Sequence, residues 1–205
     1  MNNPWTEIKL DDYENHMQLQ SVHQLQAMNS LMYDQLYHYP VSSVMILGIA
    51  GGNGLNHIRT NKIKKVFGVD INKNYLDMCV ERYSALGDVF HPIHVDLTDP
   101  EIILPQTDLI IANLLLEYIG YDCFQRVIKV SMPKYISCII QINDDNGFVS
   151  DSPYLKAFDR LSEVHHPMEE TALSDAMKYI GYDLSYTTEK LLPNGKKFVR
   201  LDYRK

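Results

Sequence analysis

The residues that most suggest chemistry are four glycines, which directly follow an apolar run in VMILGIAGGNGLNHI, residues 44–58. A strand ending near residue 49, a glycine loop and a helix opening near Gly54 would present free backbone N–H groups at the carboxyl edge of a sheet. Asp70 follows Gly48 by 22 residues, close to the ~20-residue spacing at which a carboxylate binds ribose hydroxyls. The pattern favours a nucleotide-like ligand, although the glycine spacing differs from G-x-G-x-x-G.

Two further polar residues end candidate strands. Asp96 lies in HVDLTD and Asn113 lies in IIANLLLEYIG. Because the carboxyl ends of parallel strands meet at one edge of a sheet, we expect both residues near the glycine loop. Local roles stay open beside this one: Asp70 and Asn113 could each cap the helix that follows, and Asp96 could initiate the turn DLTDP.

The sequence also predicts the sheet that would position these residues. Short apolar runs alternate with helix-like segments, which is typical of an α/β protein with a doubly wound, mostly parallel sheet. Continuous apolar character suits strands buried on both faces. The runs DLSYTTEKLL and KKFVRLDYRK, joined by a PNG turn, predict an antiparallel hairpin that completes seven strands. The first five strands are expected at residues 44–49, 65–70, 90–95, 107–112 and 135–142.

Residues 1–40 are expected to form a helical lid packed on the core, and residues 41–205 a single globular domain. Within the lid, SVHQLQAMNSLMYDQLY carries an apolar stripe at helical spacing, whereas the preceding PWTEIKLDDYENHM has no clear period. The segment 143–168 has turn formers at both ends of a short helix-like piece. We expect this segment to cover part of the structure.

Composition narrows the classes of function. The 205 residues carry a formal net charge of -7 and show no cluster of basic residues beyond Lys62, Lys64 and Lys65, so no nucleic-acid partner is expected. No apolar run is long enough to cross a bilayer, and the first residues lack the pattern of a secretory signal, which favours a cytoplasmic protein. The three cysteines form no C-x-x-C pair, and the adjacent His165 and His166 make a weak metal site. We expect no metal.

The motifs resemble those of the class I S-adenosylmethionine (SAM)-dependent methyltransferases, and the chain is similar to short uncharacterised bacterial members that act on small molecules. Their first motif, commonly V-L-D-L-G-C-G-T-G, aligns with ILGIAGGNG, so that Gly52 and Gly54 match glycines. Ala50 stands in place of the first glycine. Alanine is the mildest substitute for glycine, provided that the backbone at position 50 needs no positive φ. Gly48 replaces an acid that helps hold the methionine amino group, so the resemblance implies either another acid or weaker cofactor binding.

The resemblance covers about residues 41–205 and implies a SAM site. By position, Asp70 looks like the family's ribose-binding acid, and Asp96 with Leu97 looks like the pair beside the adenine. The closing hairpin resembles the family's sixth and seventh strands, of which the last is inserted antiparallel beside the fifth. The implied cofactor-binding residues are Gly48, Ala50, Gly51, Gly52, Gly54, Asp70, Ile71, Asp96, Leu97, Asn113 and Leu114.

The acceptor side is less marked in the sequence. Methyl transfer from a sulfonium is an in-line displacement in which positioning and desolvation supply much of the rate, so no catalytic dyad is required. Four residues could face the methyl group, and each also suits a surface or core position. They are Tyr13, His16, Glu117 and Tyr118.

We therefore expect SAM-dependent methyl transfer to a small molecule, by a monomer or homodimer. The sequence NLLLEY lacks the N-P-P-[FYW] pattern typical of enzymes that methylate the amino groups of DNA bases or proteins. A non-catalytic cofactor-binding module stays open as an alternative. An NAD(P)-dependent oxidoreductase is less favoured, because Ala50 and Asn53 stand where two of the three G-x-G-x-x-G glycines would be.

Overall fold

A seven-stranded sheet carries the polar strand ends in a computed structural model of the chain, which describes residues 3–143 and 147–205. Its strands are β1 (Ser43–Leu47), β2 (Lys65–Asp70), β3 (Phe90–His94), β4 (Leu109–Asn113), β5 (Tyr135–Ile142), β6 (Asp183–Leu191) and β7 (Lys197–Arg204). The spatial order is β3-β2-β1-β4-β5-β7-β6. Strands β1 to β5 are parallel, and β7 lies antiparallel between β5 and β6. The predicted fold class and closing hairpin are confirmed.

Helices cover both faces of this sheet. The α-helices of the described residues are α1 (Leu10–Gln18), α2 (Gln24–His38), α3 (Lys73–Arg82), α4 (Leu116–Ser131) and α5 (Glu170–Tyr179). Short 3-10 segments lie at Pro4–Thr6, Leu55–His57, Ser84–Val89 and Leu155–Glu163. In these parts of the chain, none of the helices has the length and apolar character needed to cross a membrane.

The apolar strands are buried on both faces because successive side chains of a strand point in opposite directions. In β1, Val44 and Ile46 pack in a cluster with residues of α2 and α3. Met45 and Leu47 pack in a second cluster with residues of α4 and α5. A central strand therefore needs apolar residues at every position, which is the continuous pattern seen in the sequence.

The prediction that a helix opens near Gly54 is wrong. The segment forms only the 3-10 turn Leu55–His57 and then an irregular path to β2. Its apolar residues, Leu55, Ile58 and Ile63, are spaced by three and five positions and so form no helical stripe. The face that a crossover helix would cover is instead packed by α2.

The amino-terminal 40 residues divide into two parts with different surroundings. Helix α2 belongs to the main core, where Met28, Met32 and Leu36 are almost fully buried against the sheet. Helix α1, which the sequence did not predict, buries the polar His16 together with Leu10 and Met17. A polar residue on the buried face hides the helical period. The boundary at residue 40 stays a prediction.

Helix α2 is attached to the sheet by buried amide groups. Gln35 is fully buried and exchanges two hydrogen bonds with Asn113 at the end of β4, at 2.9 and 2.8 Å. It also donates to Ser137 Oγ at 2.9 Å. Ser137 in turn donates to Asp202, which pairs with the buried Arg200. One network thus connects α2, β4, β5 and β7.

Replacing Gln35 with Met should lower the free energy of unfolding by about 1–3 kcal/mol, because it leaves buried polar groups of Asn113 and Ser137 without partners. Gln26, on the exposed face of the same helix, provides the matched control: Gln26→Met should change stability by less than about 0.5 kcal/mol. Urea unfolding followed by circular dichroism measures both. Equal stabilities of the two variants would contradict a stabilising role for the network.

Candidate functional site

A cavity lies at the carboxyl ends of β1, β2 and β4 and encloses about 670 Å³ of space, part of it open to solvent. Eight of the eleven residues that the sequence predicts to bind a cofactor line it: Gly48, Ala50, Asp70, Ile71, Asp96, Leu97, Asn113 and Leu114. The other lining residues include Trp5, Tyr13, Tyr75 and Tyr118. We call this space the first cavity. The structure brings these residues together, and their role in binding stays a prediction.

Asp70 fixes the floor of the first cavity. Its Oδ2 accepts a hydrogen bond from the Ala50 N–H at 2.9 Å, and its Oδ1 accepts one from the Asn72 N–H at 2.8 Å. Burial raises the pKa of the Asp70 carboxyl, and these backbone hydrogen bonds oppose that shift. Since a carboxylate offers about four acceptor positions, Asp70 can hold the loop and still accept ligand hydroxyls. Asn72, rather than Asp70, caps α3 by accepting from the Asn74 N–H.

The loop after β1 adopts left-handed backbone conformations at the cavity wall. Gly48 has φ 65°, and Ala50 has φ 47°. The condition under which alanine would be a mild replacement for glycine is therefore not met, and the conformation costs about 1–2 kcal/mol at Ala50. The hydrogen bond from Ala50 N to Asp70 and one from Cys79 Sγ to Ala50 O at 3.1 Å hold the residue there.

Gly51, Gly52 and Gly54 do not line the first cavity. Gly52 (φ 81°) lies against the ring of Tyr83, and Gly54 (φ 96°) lies against Met32, so that a side chain at either position would collide with the core. These two glycines let the loop pack closely. They act through the position of the loop and not through contact with the cavity.

A carboxylate from α1 reaches the other side of this loop. Glu14 lies against Gly51 and forms a two-pronged ion pair with Arg82, which also donates to the Gly51 carbonyl at 3.3 Å. Glu14 and Gly48 line the same small cavity beneath the loop. No local signal in the sequence could identify Glu14, because it approaches the loop from a distant segment.

The remaining predicted strand ends differ in what their side chains do. Asp96 Oδ1 accepts hydrogen bonds from the N–H and hydroxyl of Thr98 at 2.8 and 2.7 Å, so its local turn role is present at the cavity wall. The Asn113 amide is bonded to Gln35 and does not cap α4. Leu114 has φ 52°, a second strained residue at the cavity.

A second cavity of about 590 Å³, part of it open to solvent, adjoins the first. The two share the lining residues Trp5, Tyr13, Leu114 and Tyr118. All four candidates for the acceptor side, Tyr13, His16, Glu117 and Tyr118, line this second cavity. Its outer wall comes from the expected covering segment, residues 143–168, of which residues 144–146 lie outside the described residues. That segment contributes Phe148, Phe158 and His165, among others.

Glu117 is the buried carboxyl group of the second cavity. The residue is 5% exposed, Oε1 accepts from the Gln141 N–H at 2.9 Å, and Oε2 has no hydrogen-bond partner among the residues described. Burial raises the pKa of Glu117 to about 7, against the opposing effect of backbone N–H groups. A carboxyl with this pKa can both accept and release a proton near neutral pH.

The other titratable groups of the second cavity are held neutral. Burial, reinforced by the charge of Lys196, lowers the pKa of His16 to about 4, and His16 Nδ1 lies 2.8 Å from Ser152 Oγ. Burial also raises the pKa of Tyr13 and of Tyr118 well above the usual range. Phenolate chemistry is therefore disfavoured, and Glu117 is the group best suited to proton transfer.

Trp5 was not among the predicted site residues, yet it lines both cavities. Its ring packs edge-on against Tyr13 and Tyr118, with centroids 5.9 and 4.8 Å apart. The Trp5 carbonyl accepts a hydrogen bond from Asn72 Nδ2 at 2.9 Å, and its buried indole N–H has no partner in the described parts of the chain.

The described parts of the chain contain no group of three or more His, Cys, Asp or Glu side chains able to hold a metal ion.

Replacing Glu117 with Gln should raise the free energy of unfolding at pH 8 by about 3 kcal/mol and much less at pH 5. The pKa of Glu117 is raised from about 4.5 to about 7 on folding. The folded protein thus binds more protons than the unfolded chain in this range, and its stability falls as the pH rises. His16, with a lowered pKa, contributes the opposite slope between about pH 4 and 6.5.

Urea unfolding of both proteins at several pH values isolates the Glu117 contribution, because the His16 contribution is common to both. The stability difference should increase steadily between pH 5 and pH 8. A difference that does not depend on pH would contradict the raised pKa.

Comparison with known proteins supports the fold. The sequence matches no protein-family model and no curated protein. Among solved structures, it is similar to magnesium protoporphyrin IX methyltransferase from Synechocystis PCC 6803 with bound SAH, at TM-score 0.64 and 10% identity over 95% of this chain and 86% of that one. It is also similar to a geranyl diphosphate methyltransferase in complex with SAM, at TM-score 0.65 and 14% identity over 89% and 86%.

A third similar structure belongs to an enzyme named for a different activity. The [4+2]-cyclase SpnF matches at TM-score 0.65 and 10% identity, over 87% of this chain and 80% of that one. Similarity at these identities therefore establishes the fold and leaves the activity to be argued from the cavities. The chain has the same Rossmann-like fold as these methyltransferases.

Proposed function

We propose that the protein binds SAM in the first cavity and transfers its methyl group to a small molecule bound in the second. The observation that carries this proposal is the common wall of the two cavities, formed by Trp5, Tyr13, Leu114 and Tyr118. A methyl donor and an acceptor bound in these adjoining cavities would have to meet beside the four shared residues. Such positioning is the main requirement of an in-line displacement.

The residues of the first cavity fit SAM chemically. Asp70 has acceptor capacity left for two ribose hydroxyls, and Asp96 lies at the neighbouring strand end. Ile71 and Leu97 supply apolar surface for a flat adenine ring. Relatives in fold, such as the geranyl diphosphate methyltransferase, have been crystallised with SAM. Among the described residues, Asp70 and Asp96 are the carboxylates that line the first cavity, since Glu14 lies on the other side of the loop and is paired with Arg82.

When bound, SAM would supply an electrophilic methyl group on a sulfonium. The chain's own residues would orient the two reactants and exclude water. The half-buried Trp5 and the buried side chains of Phe158 and Leu161 form part of the wall of the second cavity. A cavity of about 590 Å³, part of it open to solvent, suits a small acceptor. The net charge of -7 disfavours a nucleic acid. A cytoplasmic location and a monomeric or homodimeric state remain predictions.

Replacing Asp70 with Asn should weaken SAM binding at least tenfold, because hydrogen bonds from ligand hydroxyls to a charged group are worth about 1.5–3 kcal/mol. The amide keeps one acceptor oxygen for the loop, whereas Ala would also remove the contact to the Ala50 N–H. Asp99, exposed and bonded to the Glu101 N–H, provides the matched control Asp99→Asn. Isothermal titration calorimetry measures the three affinities.

Titrating the wild-type protein with SAM, SAH and NAD separates the alternative functions. Preferential binding of SAM and SAH supports the proposal, and preferential binding of NAD would favour an oxidoreductase. Binding of SAM with no methyl transfer to any of a broad panel of small acceptors would favour a non-catalytic module. Unchanged SAM affinity in the Asp70 variant would refute the ribose assignment.

A further inference from the structure

The second cavity contains a buried carboxyl group, Glu117, of which one oxygen has no hydrogen-bond partner in the described part of the chain. Glu117 Oε2 is buried and has no hydrogen-bond donor among the described residues, although Oε1 is bonded to the Gln141 N–H. A buried carboxylate oxygen without a donor is strongly disfavoured, and native structures usually satisfy such an atom. A ligand bound in the second cavity could therefore supply the hydrogen-bond donor that Glu117 Oε2 lacks.

No cation of the described chain compensates Glu117. It takes part in none of the ion pairs between described residues, and only burial and backbone N–H groups shift its pKa. Lys196 acts on His16 instead, and its ammonium donates to the carbonyls of Gly147 and Phe148. Since a buried charge without a counterion is costly, a positively charged ligand would relieve this site.

The walls of the second cavity suit a cation as well. Aromatic rings form much of the lining, and the faces of such rings attract ammonium groups. Phe148 stacks on His165 with centroids 4.0 Å apart, while Trp5 lies edge-on against Tyr118. Among the described lining residues there is no Lys or Arg. A carboxylate within aromatic walls favours an amine over a neutral or anionic acceptor.

Glu117 is also close in sequence and space to the common wall of the cavities. It precedes Tyr118, which lines both, and it stands in the first turn of α4 directly after the strained end of β4. A ligand nitrogen that hydrogen-bonds to Glu117 would thus lie on the side of the second cavity near the first. This is where a methyl acceptor has to be.

We propose that the acceptor is a small primary or secondary amine, bound as its ammonium by Glu117 within the aromatic walls of the second cavity. This assignment rests on the proposed methyl transfer. Glu117 takes one proton from the ammonium, which frees the nitrogen lone pair. That lone pair forms the new C–N bond while the bond between sulfur and the methyl carbon breaks and leaves its electron pair on sulfur. The product leaves as a methylated ammonium, and Glu117 releases its proton to water.

The pKa of Glu117, raised by burial to about 7, supports this role, because a stronger acid would accept the ammonium proton less readily. Glu117 would touch the substrate and is in this sense a catalytic residue. Burial lowers the pKa of His16 and His165 and raises the pKa of Tyr13 and Tyr118, which leaves Glu117 as the group of the lining with matching proton affinity.

The experiment compares three probes of the same shape: benzylamine, benzyl alcohol and benzoate. Each is titrated calorimetrically at pH 8 into the 205-residue protein, with and without saturating SAH. The wild type should bind benzylamine at least tenfold more tightly than the alcohol and should not measurably bind benzoate. Glu117→Gln should weaken benzylamine binding at least tenfold and leave the SAH affinity within twofold. Glu101→Gln, on the exposed surface, is the matched control and should bind all probes as the wild type does.

The outcomes separate this assignment from the proposed function. If SAH binds but benzylamine does not, or binds no better than the alcohol, or binds Glu117→Gln unchanged, then the amine assignment is overturned and the cofactor site stands. If benzylamine binds through Glu117 but neither SAH nor SAM binds, the amine site stands and the methyltransferase proposal fails. Because Glu117→Gln is expected to be more stable than the wild type at this pH, loss of binding cannot be attributed to unfolding, and circular dichroism checks this directly.

Discussion

The hydrogen bonds of the Asp70 carboxylate hold together most of what surrounds the first cavity. One oxygen fixes the loop after β1 through the Ala50 N–H, and the other fixes the start of α3 through the Asn72 N–H. The Asn72 side chain then donates to the Trp5 carbonyl, and Tyr75 donates to the Ile8 carbonyl at 2.8 Å. A single buried acid at a strand end thus positions the glycine loop and, one step further, the amino-terminal segment over the site.

This arrangement explains why a site on an ordinary α/β sheet tolerates unusual backbone. Ala50 and Leu114 both adopt left-handed conformations, which disfavour residues with a Cβ atom. Each is held by a hydrogen bond from its own N–H, from Ala50 to Asp70 and from Leu114 to the Ile139 carbonyl at 2.8 Å. The strain therefore persists because hydrogen bonds to neighbouring strands hold both residues at the cavity wall.

Sequence reasoning could predict the strands and their polar ends, because parallel strands are continuous apolar runs and their carboxyl ends share one edge. It could not predict α1, because the buried face of this helix contains the polar His16, which lines the second cavity. It wrongly placed a helix after Gly54, because glycine loops of this kind commonly open a helix and the packing of α2 in its stead depends on contacts distant in sequence. Glu14 and Trp5 reach the site for the same long-range reason and carry no local motif.

The two cavities differ in the unfavourable contributions to folding that they contain, which are backbone strain in the first and buried ionisable groups in the second. The first contains backbone strain at Ala50 and Leu114, and each oxygen of its buried acid, Asp70, accepts one backbone N–H hydrogen bond. The second contains ionisable side chains whose charged forms are disfavoured by burial, Glu117 as the carboxylate and His16 as the imidazolium. Apolar residues of similar volume at these two positions would avoid that desolvation cost. Both groups are instead kept beside aromatic residues in the cavity where we propose that the acceptor binds. A ligand that donates a hydrogen bond to Glu117 would therefore stabilise the folded protein and position the acceptor by the same contact.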